Sequence, residues 1–197
     1  MRLDWGPRAA GHEKTIVIGL LAIALLTLAL PGFLPVPSLI ETTVARPLSL
    51  FAAWSSALVA LRVAEEPSWQ LFATAGVHAA RTNLTRIAVV LSCAASLSAL
   101  LTDRAWNSMI GAVSLLGWGL LAGGCFGHRH SWSLPTVYLF AVLALGGRTF
   151  TRPYPVWAWI LSDDPNLEAL MLSAAMLSVG AAAWWRSLRR QASLVDQ

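Results

Sequence analysis

The chain has 197 residues, 56% of them hydrophobic and 12% charged, with a mean hydropathy of +0.61 and a formal charge of +4. Soluble domains carry roughly 25% charged residues, and a soluble fold of this size has too little interior for so much apolar surface, so the composition reads as a polytopic membrane protein. The charge comes from 13 Arg and one Lys at the ends of apolar runs, with no basic, aromatic-interleaved face, which excludes a nucleic-acid binder.

The N-terminal "MRLDWGPRAAGHEK" leads into an apolar run at 15–34. That run is of spanning length and no A-x-A cleavage site follows, so it reads as a retained first transmembrane helix rather than a signal peptide. A helix needs about 20 apolar residues at 1.5 Å rise to cross a hydrocarbon core of roughly 30 Å. On that measure six spans are predicted, at about 15–34, 44–63, 84–101, 106–126, 131–147 and 167–185, the first closed by "PGFLPVP". With the N-terminus inside, ten basic residues fall on the cytoplasmic side (Arg2, Arg8, Lys14, Arg62, Arg81, Arg86, Arg129, Arg186, Arg189 and Arg190) and four outside (Arg46, Arg104, Arg148 and Arg152). The positive-inside rule prefers that orientation, and it places both termini in the cytoplasm. The ten tryptophans suit membrane–water interfaces.

Since backbone in lipid must satisfy its own hydrogen bonds, the spans are predicted to be helices. The class is all-α, one transmembrane domain over 1–197 in the cell (plasma) membrane. Small-residue runs, "SCAASLSA", "GWGLLAGG" and "SAAMLSVGAAA", allow close helix contact, read as packing within the chain in preference to a dimer seam. Cys93 and Cys125 lack metal-type or secreted-disulfide spacing and read as small buried hydrophobes. No span carries a buried acid–base pair, which counts against a self-powered pump or antiporter.

Between spans two and three lies "EEPSWQLFATAGVHAARTNLTR", residues 65–86, on the cytoplasmic side. With Ser68 as N-cap, a helix over about 68–81 places Trp69, Phe72, Ala73, Gly76, Val77 and Ala80, continued by Leu84, on one face; Gln70, Thr74, His78 and Arg81, continued by Thr85, line another. Pro67, Glu65 and Glu66 suit its start, and Arg81 and Arg86 its end. Such a helix either lies on the membrane surface or docks on a cytoplasmic partner. An interfacial anchor carries more Lys/Arg on its polar face and larger apolar residues opposite, whereas here the apolar face is partly Ala and Gly, which favours docking.

At this point the chain resembles a family. Six spans, an inside N-terminus and this amphipathic link are similar to the membrane (permease) subunit of an ABC-2-type exporter. The resemblance implies that 68–81 is the coupling helix, with Trp69, Phe72, Ala73, Gly76, Val77, His78 and Arg81 meeting a separate ATP-binding subunit present in two copies. It also implies a second membrane subunit, identical or related, and ATP with Mg held by the partner rather than by this chain. The outside link "GGRTFTRPYPVWAWILSDDPNLE" is similar to the family's short re-entrant piece between spans five and six. There Tyr154, Trp157 and Trp159 form an aromatic, half-buried segment at about 153–163, which is also readable as an ordinary aromatic belt. Asn166 would cap the last span. Two features depart from the family: the chain is compact, and Gly6, Pro7 and Gly11 would break an N-terminal amphipathic helix.

No phosphate loop, G-x-S-x-G or H-E-x-x-H occurs, so the chain is not predicted to be an enzyme, and no catalytic, cofactor-binding or metal residue is assigned. His128 and His130 flank Arg129 with no third ligand nearby; they read as a polar turn between spans four and five, with a metal or haem site as the alternative. Transport is the leading expectation. A non-transporting membrane accessory or immunity protein is the second, and a small integral enzyme using the two histidines the third.

Overall fold

The protein is described from a computed structural model covering residues 18–19, 33–36, 44–47, 49–65, 105–146, 156–161 and 167–195. Its core is helical: α1 (Ser49–Glu65), α2 (Ala105–Phe126), α3 (Ser133–Leu145) and α4 (Leu167–Val195). The predicted helix over 68–81 and the predicted span over 84–101 lie outside the described residues, as does nearly all of the span at 15–34.

The helical class acquires one addition, a short antiparallel hairpin before α1. In it β1 (Phe33–Val36) pairs with β2 (Val44–Pro47), Phe33 opposite Pro47 and Val36 opposite Val44. These strands take residues that hydropathy assigns to the edges of spans one and two. Proline explains the difference: Pro35 and Pro47 lack the N–H a helix interior needs but fit the ends and edges of a two-stranded ribbon. The helix that follows therefore starts at Ser49 rather than Val44.

Among the described residues two helices are long and apolar enough to cross a membrane, over Ser108–Phe126 and Leu167–Ser187; Leu50–Arg62 and Ser133–Leu145 are apolar but shorter. Six transmembrane helices are thus more than the described residues display. The 13 residues of α3 rise only about 20 Å, less than a hydrocarbon core of roughly 30 Å. Local chemistry sets that length. Ser133 Oγ donates to the His130 carbonyl and Thr136 Oγ to the Trp132 carbonyl, both at 2.7 Å, which fixes the start. Pro135 stands in the first turn, where its missing N–H costs nothing. At the other end the Gly146 N–H closes on the Val142 carbonyl at 2.9 Å. Upstream, α2 stops because Gly127 adopts φ +93°, the left-handed conformation that glycine enters without strain.

Small residues set the packing. On α1, Ala53, Ala57 and Ala60 recur at helical spacing and are fully buried with Leu61. They meet α2 where Gly111 faces Ala53 and Gly119 faces Leu61, so residue numbers rise together and the two helices run in the same direction. Likewise Ser114 meets Ser173, and Gly124 meets the Ala183–Trp184 backbone, so α4 also runs parallel to α2. The turn at 127–132 sends α3 back, antiparallel, with Tyr138 beside Trp118. Backbone touches backbone along the α2–α4 seam. A Cβ at Gly117 would sit 2.7 Å from the Met176 carbonyl carbon, and one at Gly180 would overlap the Gly117 carbonyl oxygen. The small-residue runs of these two helices thus pack on each other within the chain. Leu115, Leu116, Leu139, Val142 and Ile160 complete the core.

One sequence reading is corrected. Cys125 is exposed and forms no disulfide, because it lies on the outer side of the last turn of α2, whose packed side carries Gly124. Cys93 lies outside the described residues.

Candidate functional site

The docking residues read from the sequence, Trp69, Phe72, Ala73, Gly76, Val77, His78 and Arg81, all lie outside the described residues, as does Tyr154 of the outer segment. The rest of that segment is placed. Residues Val156–Leu161 form two short 3₁₀ turns joined at Ala158, whose φ of −104° and ψ of 35° leave the helical region. Val156 and Trp157 face outward, while Ala158, Ile160 and Leu161 are buried in the bundle core. The segment is therefore two-sided, one edge anchored and one edge exposed.

What anchors it is a chain of hydrogen bonds with a defined direction. Trp159 Nε1 donates to Ser114 Oγ at 2.9 Å. Ser173 Oγ donates its only hydrogen to the Ala169 carbonyl at 2.7 Å. The 2.7 Å bond between Ser114 and Ser173 must then be donated by Ser114. The order is indole to Ser114, Ser114 to Ser173, Ser173 to the α4 backbone, and each donor in it is used. Both hydroxyls are buried, and in a low-dielectric interior such a fully satisfied chain holds its members in one arrangement. Among the described residues neither serine faces a base, and the pair staples α2, α4 and the outer segment together.

Aromatic contacts run alongside. Tyr138 of α3 donates its hydroxyl hydrogen to the Trp157 carbonyl at 2.8 Å. Its ring lies 5.6 Å from that of Trp159 and 5.3 Å from that of Trp118 on α2, both tilted, at the separation favoured by aromatic pairs. Trp118 Nε1 is buried and meets no acceptor among the described residues, an omission that costs about 1–3 kcal/mol in a protein interior. A further bond, from Trp54 Nε1 to Thr136 Oγ1 at 3.3 Å, ties α1 to α3.

Sequence reasoning singled out Trp157 and Trp159 but missed their partners, Ser114, Trp118, Tyr138 and Ser173. Serines in the middle of apolar runs were the available signal, since a hydroxyl in a hydrophobic helix needs an acceptor. Pairing residues 45 and 59 positions apart, however, is a matter of tertiary packing.

His128 and His130 lie in the 3₁₀ turn His128–His130 between α2 and α3, where the His130 N–H closes on the Gly127 carbonyl at 2.9 Å and Arg129 is exposed. Among the described residues, no three His, Cys, Asp or Glu side chains gather to hold a metal ion. Comparison with protein-family models, with curated proteins and with solved structures gives no match to this chain.

Proposed function

We propose that the chain is the membrane subunit of an ATP-driven exporter of the ABC-2 kind, a multi-pass protein of the plasma membrane with six spans. It would form the substrate path together with a second membrane subunit, identical or related. Through the helix at 68–81 it would dock one of two ATP-binding subunits, which hold ATP and Mg. ATP binding then draws the docked helices together and rocks the bundles between inward- and outward-facing states.

The observation that carries the reading is helix direction. α1, α2 and α4 run one way and α3 the other. Alternate crossings by spans two, four and six in one sense, and span five in the other, require that arrangement. Charge supports the same topology. The end of the bundle where α1, α2 and α4 finish carries exposed Arg62, Arg129, Arg186, Arg189 and Arg190, as a cytoplasmic face does. The link beginning at Glu65 leaves from that end, where an ATP-binding partner would wait.

Pull-down of the detergent-solubilised chain from its own cells is the test. The wild-type chain is expected to bring down a subunit bearing a phosphate loop, and F72D/V77D to lose it. Recovery of no such subunit by the wild-type chain sinks the proposal.

One observation favours a second reading, an accessory or immunity protein that binds a partner without transporting. The backbone-on-backbone seam packs α2 and α4 closely on each other, which suits a static scaffold as well as half of a rocking one. Export that continues when the chain is deleted would favour this reading.

A further inference from the structure

The face of α4 that the bundle leaves uncovered ends in a cluster of basic residues. Only 22% of Leu167–Ser187 is buried inside the protein, against 61% of Ser108–Phe126. The exposed face of α4 includes one line along the helix, Leu167, Met171, Ser178, Ala182, Trp185 and Arg189, three or four apart or a multiple of that spacing. The line is apolar or small until Trp185. There the Arg189 guanidinium lies over the indole ring, 5.4 Å from its centroid, and Arg186 and Arg190 flank it, all exposed. No Asp or Glu occurs between Glu168, at the opposite end of the helix, and Asp196.

Length fixes the depth of this cluster. The 21 residues of Leu167–Ser187 rise about 31 Å, the thickness of a hydrocarbon core, so Trp185 falls at the interface and Arg189 and Arg190 half a turn beyond it. Arg186 is close enough to that boundary to extend its head outward along its apolar stem. The basic residues lie on the same side of the helix as Met171 and Ser178. They point away from the described bundle and, where α4 crosses a bilayer, stand at the level of lipid phosphates.

We propose that Trp185, Arg186, Arg189 and Arg190 form a binding site for the headgroup of an anionic phospholipid. The guanidinium groups fork onto the phosphate and the indole packs against the glycerol region. Stacking on Trp185 limits the freedom of Arg189 before the lipid arrives, which lowers the ordering cost of binding. Charge complementarity selects the lipid, because a zwitterionic headgroup carries its own compensating cation and gains less from three guanidiniums. The inference rests on α4 crossing a bilayer and is independent of whether the chain transports anything.

The test uses the full chain purified in detergent with an equimolar mixture of phosphatidylglycerol and phosphatidylcholine of matched acyl chains. Retained lipid is quantified by mass spectrometry. The wild-type chain is expected to keep phosphatidylglycerol over phosphatidylcholine by about fivefold or more. R186Q/R189Q/R190Q should bring the ratio close to one, and R186K/R189K/R190K, which keeps the charge but not the forked geometry, should hold only part of it. Millimolar glycerophosphoglycerol, which has the headgroup without the chains, should not displace the lipid. Equal retention of both lipids by the wild type, or an unchanged preference in the glutamine variant, overturns the proposal. Should the triple variant lose its thermal transition, R189Q alone is read in the same way. Efficient disulfide crosslinking of A182C between two copies, with no lipid retained, would assign the face to a second copy and overturn it equally.

Discussion

Replacing Gly180 by valine is expected to destabilise the bundle by about 3 kcal/mol, the upper range for forcing extra atoms into a packed interior. The cause is the closeness of α2. A Cβ at Gly180 would overlap the Gly117 carbonyl oxygen, and the atom in its way is backbone, which cannot rotate aside as a side chain can. The helices must separate, and separation loosens the Ser114–Ser173 bond and the contact of Gly124 with Ala183. Alanine gives the sharper sign test. Helix propensity alone predicts that Gly180→Ala stabilises by about 1 kcal/mol, whereas the seam predicts destabilisation. Ala182→Val, two residues on and on the opposite, exposed face of the helix, should change stability by about 0.5 kcal/mol or less. Thermal unfolding in detergent, followed by circular dichroism, measures all three. A stabilising Gly180→Ala would mean that the seam is looser than described.

The second large effect lies between α1 and α2. Leu61 is 2% exposed and its branched end fills the notch over Gly119, where a Cβ would lie 2.7 Å from Leu61 Cδ2. Leu61→Ala removes that filling and is expected to cost about 2–5 kcal/mol, the range for a buried leucine whose site cannot collapse. Gly119→Ala adds a methyl into the same notch and should cost about 1–3 kcal/mol. Since the two residues share one space, the double variant should be less damaged than the separate costs imply, by about 1 kcal/mol or more. Simple additivity in the same unfolding measurement would show that they do not fill one notch.

How far the sequence carries depends on the range of the interaction that decides each feature. The helix Ala105–Phe126 was legible from its own composition, a long apolar run punctuated after Phe126 by Gly127. The start of α4 at Leu167 was legible in the same way, from an apolar run opening after "DDPN". The hairpin was not, because Phe33, Leu34 and Val44 count as span by hydropathy, while the prolines among them decide for extended backbone. The length of α3 turns on side-chain bonds to His130 and Trp132, which a hydropathy window does not register. In the outer segment the aromatic-apolar run with Trp157 and Trp159 marks a half-buried piece, but its anchor needs Ser114 and Ser173 from two other helices. Cys125 misled because its surroundings in sequence are apolar, whereas its position on the wheel of α2 turns it away from α4. The docking helix rests on its periodicity alone.

Central to the proposal is a bundle that would cross the bilayer with its arginine-rich end in the cytoplasm, where the docking link would also lie. Cys125 reports on this directly, being exposed in the last turn of α2 next to the 127–132 turn. In a Cys93→Ser background it is the one remaining thiol. A membrane-impermeant maleimide applied to right-side-out and to inverted membrane vesicles is the measurement. Labelling of inverted vesicles only is the predicted result. Equal labelling of intact right-side-out vesicles would contradict the orientation, and with it the placement of residues 65–86 on the side where ATP is found.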